Sequence, residues 1–291
     1  MNNNKQSIDI LKIKEIKTIK SHSEWVNTIL LLNDNRIASC SDDSSVKIWD
    51  IKTNKVIACL EDHFSRVTCL LELPNNILAS GSFDTSIRLW DLTSNKCIAQ
   101  LTAHVAWVLC MLLLKDGRLV SGSGDKTMRI WNLKNKTCSL TLKGHDGFIN
   151  AMIEDKNSNV ISSSEDNTIK YWDIKTGDCL KSISYDYSIS TLCQLRDGRV
   201  IIASDKIIKL LDSEEVIESE ECISSRIFET SNDGEIIYGD ENGELTLLNI
   251  NNKTKIKAQK HDDTITSAIC LNDGRYATCA NDALIMIWEL Q

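Results

Sequence analysis

A tryptophan, replaced twice by leucine, recurs along this chain at a nearly constant interval, and this period limits the fold more than any other feature. The interval is 41 residues three times and then 39, 37 and 40 residues, and the series consists of Trp49, Trp90, Trp131, Trp172, Leu211, Leu248 and Trp288. A period near 40 residues is typical of repeat architectures, in which each unit buries its apolar surface against its neighbours. The 291 residues therefore consist of one supersecondary unit written seven times.

Short runs of alternating apolar residues precede each member of this series. In the first repeat Val46 and Ile48 stand three residues and one residue before Trp49, and the same pattern recurs in the other six repeats. Period-two alternation over such short runs is typical of strands packed between neighbouring sheets. Turn sequences such as Lys-Asp-Gly and Asn-Asp-Gly separate the runs,. The sequence therefore predicts an all-β fold.

Histidine, serine or threonine, and aspartate repeat in register with the tryptophans, because each of the five histidines precedes its tryptophan by 27 residues. The sets are His22/Ser39/Asp43/Trp49, His63/Ser80/Asp84/Trp90, His104/Ser121/Asp125/Trp131, His145/Ser162/Asp166/Trp172 and His261/Thr278/Asp282/Trp288. A catalytic triad needs one exposed nucleophile and one oxyanion hole. Five copies at fixed offsets therefore indicate a structural role. We expect no catalytic residue, no cofactor and no metal site, since the pairs of His and Asp lie in separate repeats and cannot gather three ligands.

The segments that contain these tryptophans resemble the WD-repeat family. The segments are SCSDDSSVKIWD, SGSFDTSIRLWD, SGSGDKTMRIWN and SSSEDNTIKYWD, and the resemblance extends from Glu15 to Leu290. It implies a seven-bladed β-propeller with one four-stranded blade per repeat. It also implies that the four residues of each set form a hydrogen-bonded tetrad. In that tetrad the indole donates to the hydroxyl, the hydroxyl meets the imidazole, and the aspartate holds the imidazole.

The two ends of the chain fit a ring that closes on itself. The last repeat stops just after Trp288, whereas EIKTIKSH (Glu15 to His22) resembles the fourth-strand segments of other repeats. We therefore predict that an N-terminal strand completes the last blade, which removes the exposed edge of an open sheet. The expected organisation is a short polar arm at residues 1–14 and a single propeller domain at residues 15–291.

Repeats five and six depart from the pattern. At the positions of His, Ser and Trp they carry Tyr185, Ile202 and Leu211 in repeat five, and Glu221, Tyr238 and Leu248 in repeat six. We expect apolar packing to hold these two blades together without a tetrad, and we expect them to be looser than the others.

The resemblance also implies where a partner binds. In propellers of this kind the face that carries the histidine loops is the usual docking surface. Positions three and five after the histidine, and the position before the turn aspartate, point to that face. The predicted partner-binding residues are Trp25, Asn27, Arg66, Phe83, Trp107, Leu109, Phe148, Asn150 and Arg226. Tryptophan and arginine dominate interface energies. The alternative is that the aromatic rings only cap the inner strands and pack among themselves.

The amino-acid composition limits the classes of partner and the cellular compartment that we expect. The formal net charge of −8 argues against nucleic acid or an anionic membrane as partner, since both select clustered Lys and Arg. Eleven cysteines without a Cys-x-x-Cys pair indicate reduced thiols in a cytoplasmic protein, with the nucleus as the alternative. Six acids and no base lie between Asp212 and Glu221. That segment is either an edge strand protected by charge or a docking site for a basic partner.

These features favour a non-enzymatic scaffold or adaptor, a monomeric propeller that presents one face to a protein or peptide within a multiprotein complex. One alternative is the substrate-recognition subunit of a ubiquitin ligase. Lys52, Lys134 and Lys175 weaken it, because adaptor motifs of the family typically have arginine there. The other alternative is a G-protein β-like signalling scaffold, for which residues 1–14 are too few to form an N-terminal coiled coil.

Overall fold

The alternating apolar residues form short strands along the whole chain. The computed structural model describes residues 12–204, 207–213, 216–218, 227–229 and 234–291. These residues form 28 β-strands, which pair antiparallel in seven sheets of four strands each. Among the described residues no helix is long and apolar enough to cross a bilayer. The predicted all-β fold is confirmed.

Blades 1 to 4 follow one another along the chain, and each is a four-stranded antiparallel meander. Blade 1 consists of β2 (Val26–Leu31), β3 (Arg36–Ser41), β4 (Val46–Asp50) and β5 (Lys55–Leu60). Blade 2 consists of β6 (Val67–Leu73), β7 (Ile77–Ser82), β8 (Ser86–Asp91) and β9 (Lys96–Thr102). Blade 3 consists of β10 (Val108–Leu113), β11 (Leu119–Ser123), β12 (Thr127–Asn132) and β13 (Thr137–Lys143). Blade 4 consists of β14 (Ile149–Glu154), β15 (Val160–Ser164), β16 (Thr168–Trp172) and β17 (Cys179–Ser184).

The remaining three blades complete the ring. Blade 5 consists of β18 (Thr191–Gln194), β19 (Val200–Ala203), β20 (Ile208–Leu210) and β21 (Val216–Glu218). Blade 6 consists of β22 (Ile227–Glu229), β23 (Glu235–Gly239), β24 (Glu244–Asn249) and β25 (Thr254–Gln259). Blade 7 consists of β26 (Ile265–Cys270), β27 (Tyr276–Ala280), β28 (Leu284–Leu290) and β1 (Ile13–Lys20).

The first strand of each blade lies innermost, and these strands meet in cyclic order. Contacts run from β2 through β6, β10, β14, β18, β22 and β26 back to β2. The ring closes at β1, which pairs with β28 from Ile13 opposite Leu290 to Lys20 opposite Leu284. The predicted seven-bladed propeller, with an N-terminal strand completing the last blade, is confirmed. β1 begins at Ile13, two residues before the boundary predicted for the propeller.

The apolar core lies in the wedges between neighbouring blades. Trp90 of blade 2, for example, packs with Val46, Ile48 and Leu60 of blade 1. Fully burying a side chain of this size contributes about 2–3 kcal/mol or more. Each tryptophan therefore helps to join its blade to the preceding one, and this role explains why the period is so regular.

Apolar side chains fill the wedges where the tetrads are missing. In blade 5 the residues at the Ser and Trp positions, Ile202 and Leu211, are buried in one cluster with Ile161 and Ile169 of blade 4. In blade 6 the corresponding residues belong to a cluster shared with blade 5, and they are Tyr238 and Leu248.

The strands of blade 5 are short, with three or four residues each, whereas those of blades 1 to 4 have five to seven. The outer strand β21 of blade 5 lies within the acidic segment Asp212 to Glu221. Residues 214–215 and 219–221 of that segment are outside the described residues.

Candidate functional site

Each of the five complete repeats contains a chain of hydrogen bonds that starts at the tryptophan. In blade 4 the indole Nε1 of Trp172 donates to Ser162 Oγ at 2.8 Å. Ser162 Oγ lies 2.7 Å from His145 Nε2, and His145 Nδ1 lies 2.7 Å from Asp166 Oδ2. Distances of 2.7 to 2.8 Å also connect His22/Ser39/Asp43/Trp49, His63/Ser80/Asp84/Trp90, His104/Ser121/Asp125/Trp131 and His261/Thr278/Asp282/Trp288.

One direction of proton donation satisfies every polar group in this series of hydrogen bonds. An ionised Asp166 only accepts, so His145 donates from Nδ1, and Nε2 of the neutral ring accepts the hydroxyl proton of Ser162. Burial lowers the pKa of His145, and the hydrogen bond to Asp166 offsets only part of that effect. Burial alone would raise the pKa of Asp166, but hydrogen bonds from Thr168, a backbone N–H and His145 hold it at about 2. The ring is therefore neutral and the carboxylate ionised at pH 7.

This geometry suits a structural link and not a nucleophile. The five hydroxyl groups belong to side chains with no exposed surface, namely Ser39, Ser80, Ser121, Ser162 and Thr278. Each hydroxyl is occupied on one side by the indole and on the other by the imidazole, so no substrate can approach it. Among the described residues, no group of three or more His, Cys, Asp or Glu side chains is placed to hold a metal ion.

The aspartate of each tetrad also ties two loops together. In blade 2 the backbone N–H of Phe64 donates to Asp84 Oδ2 at 3.2 Å, while the N–H and hydroxyl of Ser86 donate to Oδ1 at 2.9 and 2.7 Å. In blade 3 the N–H of Val105 donates to Asp125 in the same way, at 3.2 Å. The loop after each histidine and the turn that contains the aspartate therefore lie together at one end of the blade.

We name this end of the propeller the histidine face. It comprises residues 22–25, 63–66, 104–107, 145–148 and 261–264 and the turns at residues 42–44, 83–85, 124–126, 165–167 and 281–283.

Aromatic rings form a connected row on the histidine face. The rings of Phe83 and Trp107 stack with centroids 4.2 Å apart and planes 5° apart. Phe148 meets Trp107 edge-on at 5.7 Å. At the other end, the guanidinium of Arg66 lies 5.8 Å from the centroid of Phe83 and 3.2 Å from a carboxylate oxygen of Asp42. We name these five residues the aromatic row; it extends from blade 1 to blade 4.

The row forms because two sequence positions meet across each boundary between blades. The third residue after a histidine lies against the residue before the turn aspartate of the preceding blade. This rule joins Arg66 to Asp42 and Trp107 to Phe83. It also places Phe148 over Gly124, since a Cβ atom on Gly124 would lie 3.7 Å from that ring.

Two exposed apolar side chains on the histidine face escaped the sequence analysis. Phe64 and Val105 directly follow the histidines of blades 2 and 3 and are 85% and 82% exposed. The other complete repeats carry Ser23, Asp146 and Asp262 at this position, so the change from polar to apolar was a signal that could have revealed them. Large exposed apolar groups of this kind mark interaction surfaces when they cluster.

The other predicted residues are placed differently. Trp25 occupies on blade 1 the position that Trp107 has on blade 3, and it is 47% exposed. Asn27 and Asn150 lie on innermost strands, where their side-chain amides donate to backbone carbonyls of the next blade at 2.8 and 3.1 Å. These two residues thus join blades. Leu109 is half-buried on β10.

Arg226 lies outside the described residues, so the predicted face is described at eight of its nine positions.

A comparison with protein-family models identifies the repeat. The model described as WD domain, G-beta repeat matches residues 13–50, 54–91, 95–132 and 136–173, which together cover more than half of the chain. Each match begins at the outer strand of one blade and ends with the third strand of the next. A comparison with curated proteins finds no match. With four matched repeats in a ring of seven four-stranded blades, the chain belongs to the WD-repeat family of β-propellers.

Proposed function

We propose that this protein is a non-enzymatic scaffold whose histidine face binds a protein or peptide through the aromatic row. The WD-repeat propeller is generally an interaction fold. The observation that carries the proposal is the exposure of Trp107, which is 41% exposed between Phe83 and Phe148, while Phe64 and Val105 are exposed on the same face. These five apolar side chains lie on the histidine face of blades 2 to 4, and exposed apolar groups that cluster on one face mark interaction surfaces.

Arg66 gives this patch a polar end. Its side chain is 52% exposed although one nitrogen pairs with Asp42. Because a guanidinium has five N–H donors, donors remain for a carbonyl or carboxylate of the partner. A segment with an apolar side chain over Trp107 and an acceptor near Arg66 matches the row from end to end.

The tetrads make the surface rigid before any partner arrives. The N–H groups of Phe64 and Val105 are already held by tetrad carboxylates. Ordering a loose side chain on binding costs about 0.5–1.5 kcal/mol, so loops fixed in advance reduce that cost. A rigid face with no moving part is what a scaffold requires.

The same proposal places a monomeric propeller, within a larger complex, in the cytoplasm, with the nucleus as the alternative. None of the ten cysteines among the described residues forms a disulfide. Several are buried or half-buried beside apolar side chains, as expected of thiols in a reducing compartment.

The test is affinity capture with wild type and three variants, followed by quantitative mass spectrometry. Trp107→Ala and the pair Phe64→Ser/Val105→Ser should lose the partner, since removing a central tryptophan costs at least about 2 kcal/mol, or about 30-fold in affinity. Leu180→Ala is the matched control, because Leu180 is 57% exposed on the outer strand of blade 4. Equal capture by wild type and Trp107→Ala would contradict the proposal.

A further inference from the structure

The outer strands of blades 6 and 7 carry charge opposite to that of the whole chain. Residues 12–20 and 253–260 contain eight lysines and one acidic residue, Glu15, in a chain whose formal net charge is −8. These segments form β1 and β25, the outermost strands of adjacent blades, and the two strands contact each other. We name the surface formed by these two segments the lysine rim.

Most of these lysines are exposed, and they point to both sides of the strands. The exposed ones are Lys12, Lys14, Lys17, Lys20, Lys253, Lys257 and Lys260.

The register of β1 with β28 shows these directions. Lys17 is opposite Ile287, which packs in the wedge toward blade 1, whereas Lys20 is opposite Leu284, which packs in the wedge toward blade 6. The positive charge therefore covers the rim and is not confined to one groove.

Carboxylates within the ring pair with two of these lysines. Lys260 lies 3.5 Å from Glu15, and Lys257 lies 2.6 Å from Glu244. The two segments contain eight lysines and one acidic residue of their own, so the lysine rim has a net positive charge.

Protection of an exposed edge does not account for so many lysines. Lysine on an outer strand discourages pairing with another sheet, but β5, β9, β13 and β17 each contain one lysine, whereas β1 contains three and β25 contains two. Like charges placed together repel one another and destabilise the fold. A surplus on two adjacent strands is therefore best explained by a ligand of opposite charge.

An apolar side chain lies among these lysines. A β-bulge between Glu15 and Lys17 interrupts the register of β1, and Ile16 at the bulge is 40% exposed. Bulges re-aim side chains, and this one turns an isoleucine outward between Lys14 and Lys17. Phosphate groups of nucleic acid or lipid headgroups gain little from an aliphatic contact, whereas a polypeptide can supply both carboxylates and an aliphatic side chain.

We propose that the lysine rim binds an acidic, extended polypeptide segment of a partner protein. Its carboxylates pair with Lys14, Lys17 and their neighbours, and an aliphatic side chain covers Ile16. The rest of the chain is more acidic than the net charge of −8 shows, so it repels a long polyanion or an anionic bilayer that extends beyond the rim. This surface lies on the circumference of blades 6 and 7, apart from the aromatic row on blades 1 to 4.

The test measures fluorescence anisotropy of a labelled peptide with the repeating sequence Glu-Glu-Leu-Glu at physiological ionic strength. Two variants remove equal numbers of exposed lysines, so that their net charges match. The rim variant is Lys12→Thr/Lys14→Thr/Lys17→Thr/Lys20→Thr, and the control is Lys55→Thr/Lys96→Thr/Lys143→Thr/Lys181→Thr. We expect affinity to fall about 10-fold in the rim variant, since four exposed ion pairs are lost, and less than about 2-fold in the control.

Two single changes keep the test decisive if the rim variant folds poorly. Ile16→Ser should weaken peptide binding about 3-fold, because part of an aliphatic contact is lost. Leu180→Ala should leave peptide binding unchanged, because Leu180 is an exposed apolar residue on the outer strand of blade 4, outside both the lysine rim and the aromatic row.

The proposal is overturned if wild type does not bind the peptide, or if the two lysine variants lose affinity equally. A loss of peptide binding in Leu180→Ala, equal to the loss in Ile16→Ser, would overturn it as well. Tighter binding of a DNA duplex or of phosphatidylserine vesicles than of the peptide would also contradict it and would assign the lysine rim to a different class of ligand.

Discussion

Two adjacent serines offer a direct test of how the tetrads stabilise the ring. Ser162 and Ser163 are neighbours on β15, and neither has any exposed surface. Ser162 Oγ lies 2.8 Å from the indole nitrogen of Trp172 and 2.7 Å from the imidazole Nε2 of His145. Within the part of the chain that the structure describes, the hydroxyl of Ser163 has no hydrogen-bond partner. Changing each serine to alanine removes the same atom from two different environments.

The expected magnitudes differ because only one change leaves buried groups without a partner. Ser162→Ala leaves the indole N–H and the imidazole Nε2 without a hydrogen-bond partner. Each buried group without a partner costs about 1–3 kcal/mol, so the free energy of unfolding should fall by about 3 kcal/mol. An unfolding entropy of about 2.1 cal/mol/K per residue converts this, over 291 residues, into a Tm lower by about 5 °C. Ser163→Ala removes an unpaired buried hydroxyl and should leave stability unchanged or raise it by about 1 kcal/mol.

Urea and thermal unfolding followed by far-UV circular dichroism measure both variants. The double variant Ser162→Ala/Trp172→Phe adds a check, since its loss should be smaller than the sum of the single losses once the indole donor is absent. Equal destabilisation by Ser162→Ala and Ser163→Ala, or a loss below about 1 kcal/mol for Ser162→Ala, would refute the reasoning.

Three further predictions concern closure, pH and local stability. Deleting residues 1–20 removes β1 and uncovers the edge of β28, so the whole ring should melt at a lower temperature; an unchanged Tm would count against the closure. Stability should also fall on acidification, since burial lowers the pKa of His22 and His145 in the folded protein. The unfolded chain takes up protons first below about pH 6.5. The tetrad aspartates add a second loss below about pH 4, because their pKa is also lowered on folding,. Unfolding midpoints that stay constant from neutral to acidic pH would contradict this account. Finally, amides of residues 185–250 should exchange hydrogen faster than those of residues 63–172, because blades 5 and 6 lack tetrads; equal protection would show that apolar packing alone is sufficient.

The fold could be predicted from the sequence because it depends on residues that recur at constant spacings within each repeat. A histidine 27 residues before a tryptophan corresponds to one passage through the first three strands of a blade and their turns, so a constant offset indicates a blade of constant size. Closure was also accessible, since the segment from Glu15 matches fourth strands while the chain ends after a third. Each of these features occurs in several repeats, so it can be recognised in a single sequence.

The contacts across blades were harder to predict. Phe83 and Trp107 are 24 residues apart, and their stacking depends on which loop of one blade meets which turn of the preceding one. The partner-binding positions implied by the family resemblance included both residues, but they did not predict that the two rings stack. Phe64 and Val105 were missed because they occupy a position outside that set.

The inner-strand asparagines make a contact that the sequence analysis did not predict. Asn27 and Asn150 stand at positions that face a partner in related propellers, and the sequence analysis assigned them to the binding face. The structure shows their amides bonded to carbonyls of the neighbouring blade. A side chain on an innermost strand lies close to the next blade as well as to the opening of the ring, and the pattern of one repeat contains no information on that neighbour.

The tetrads and the proposed binding face share hydrogen bonds. The carboxylates of Asp84 and Asp125 complete their tetrads in blades 2 and 3, and the same oxygens accept the N–H groups of Phe64 and Val105. The bond network that stabilises a wedge therefore also sets the position of an exposed apolar side chain on the histidine face. Because an interface gains affinity when its side chains are ordered beforehand, blades with complete tetrads are the ones suited to carry a binding surface. The aromatic row lies on blades 1 to 4, all of which have complete tetrads, and this placement agrees with the proposed function.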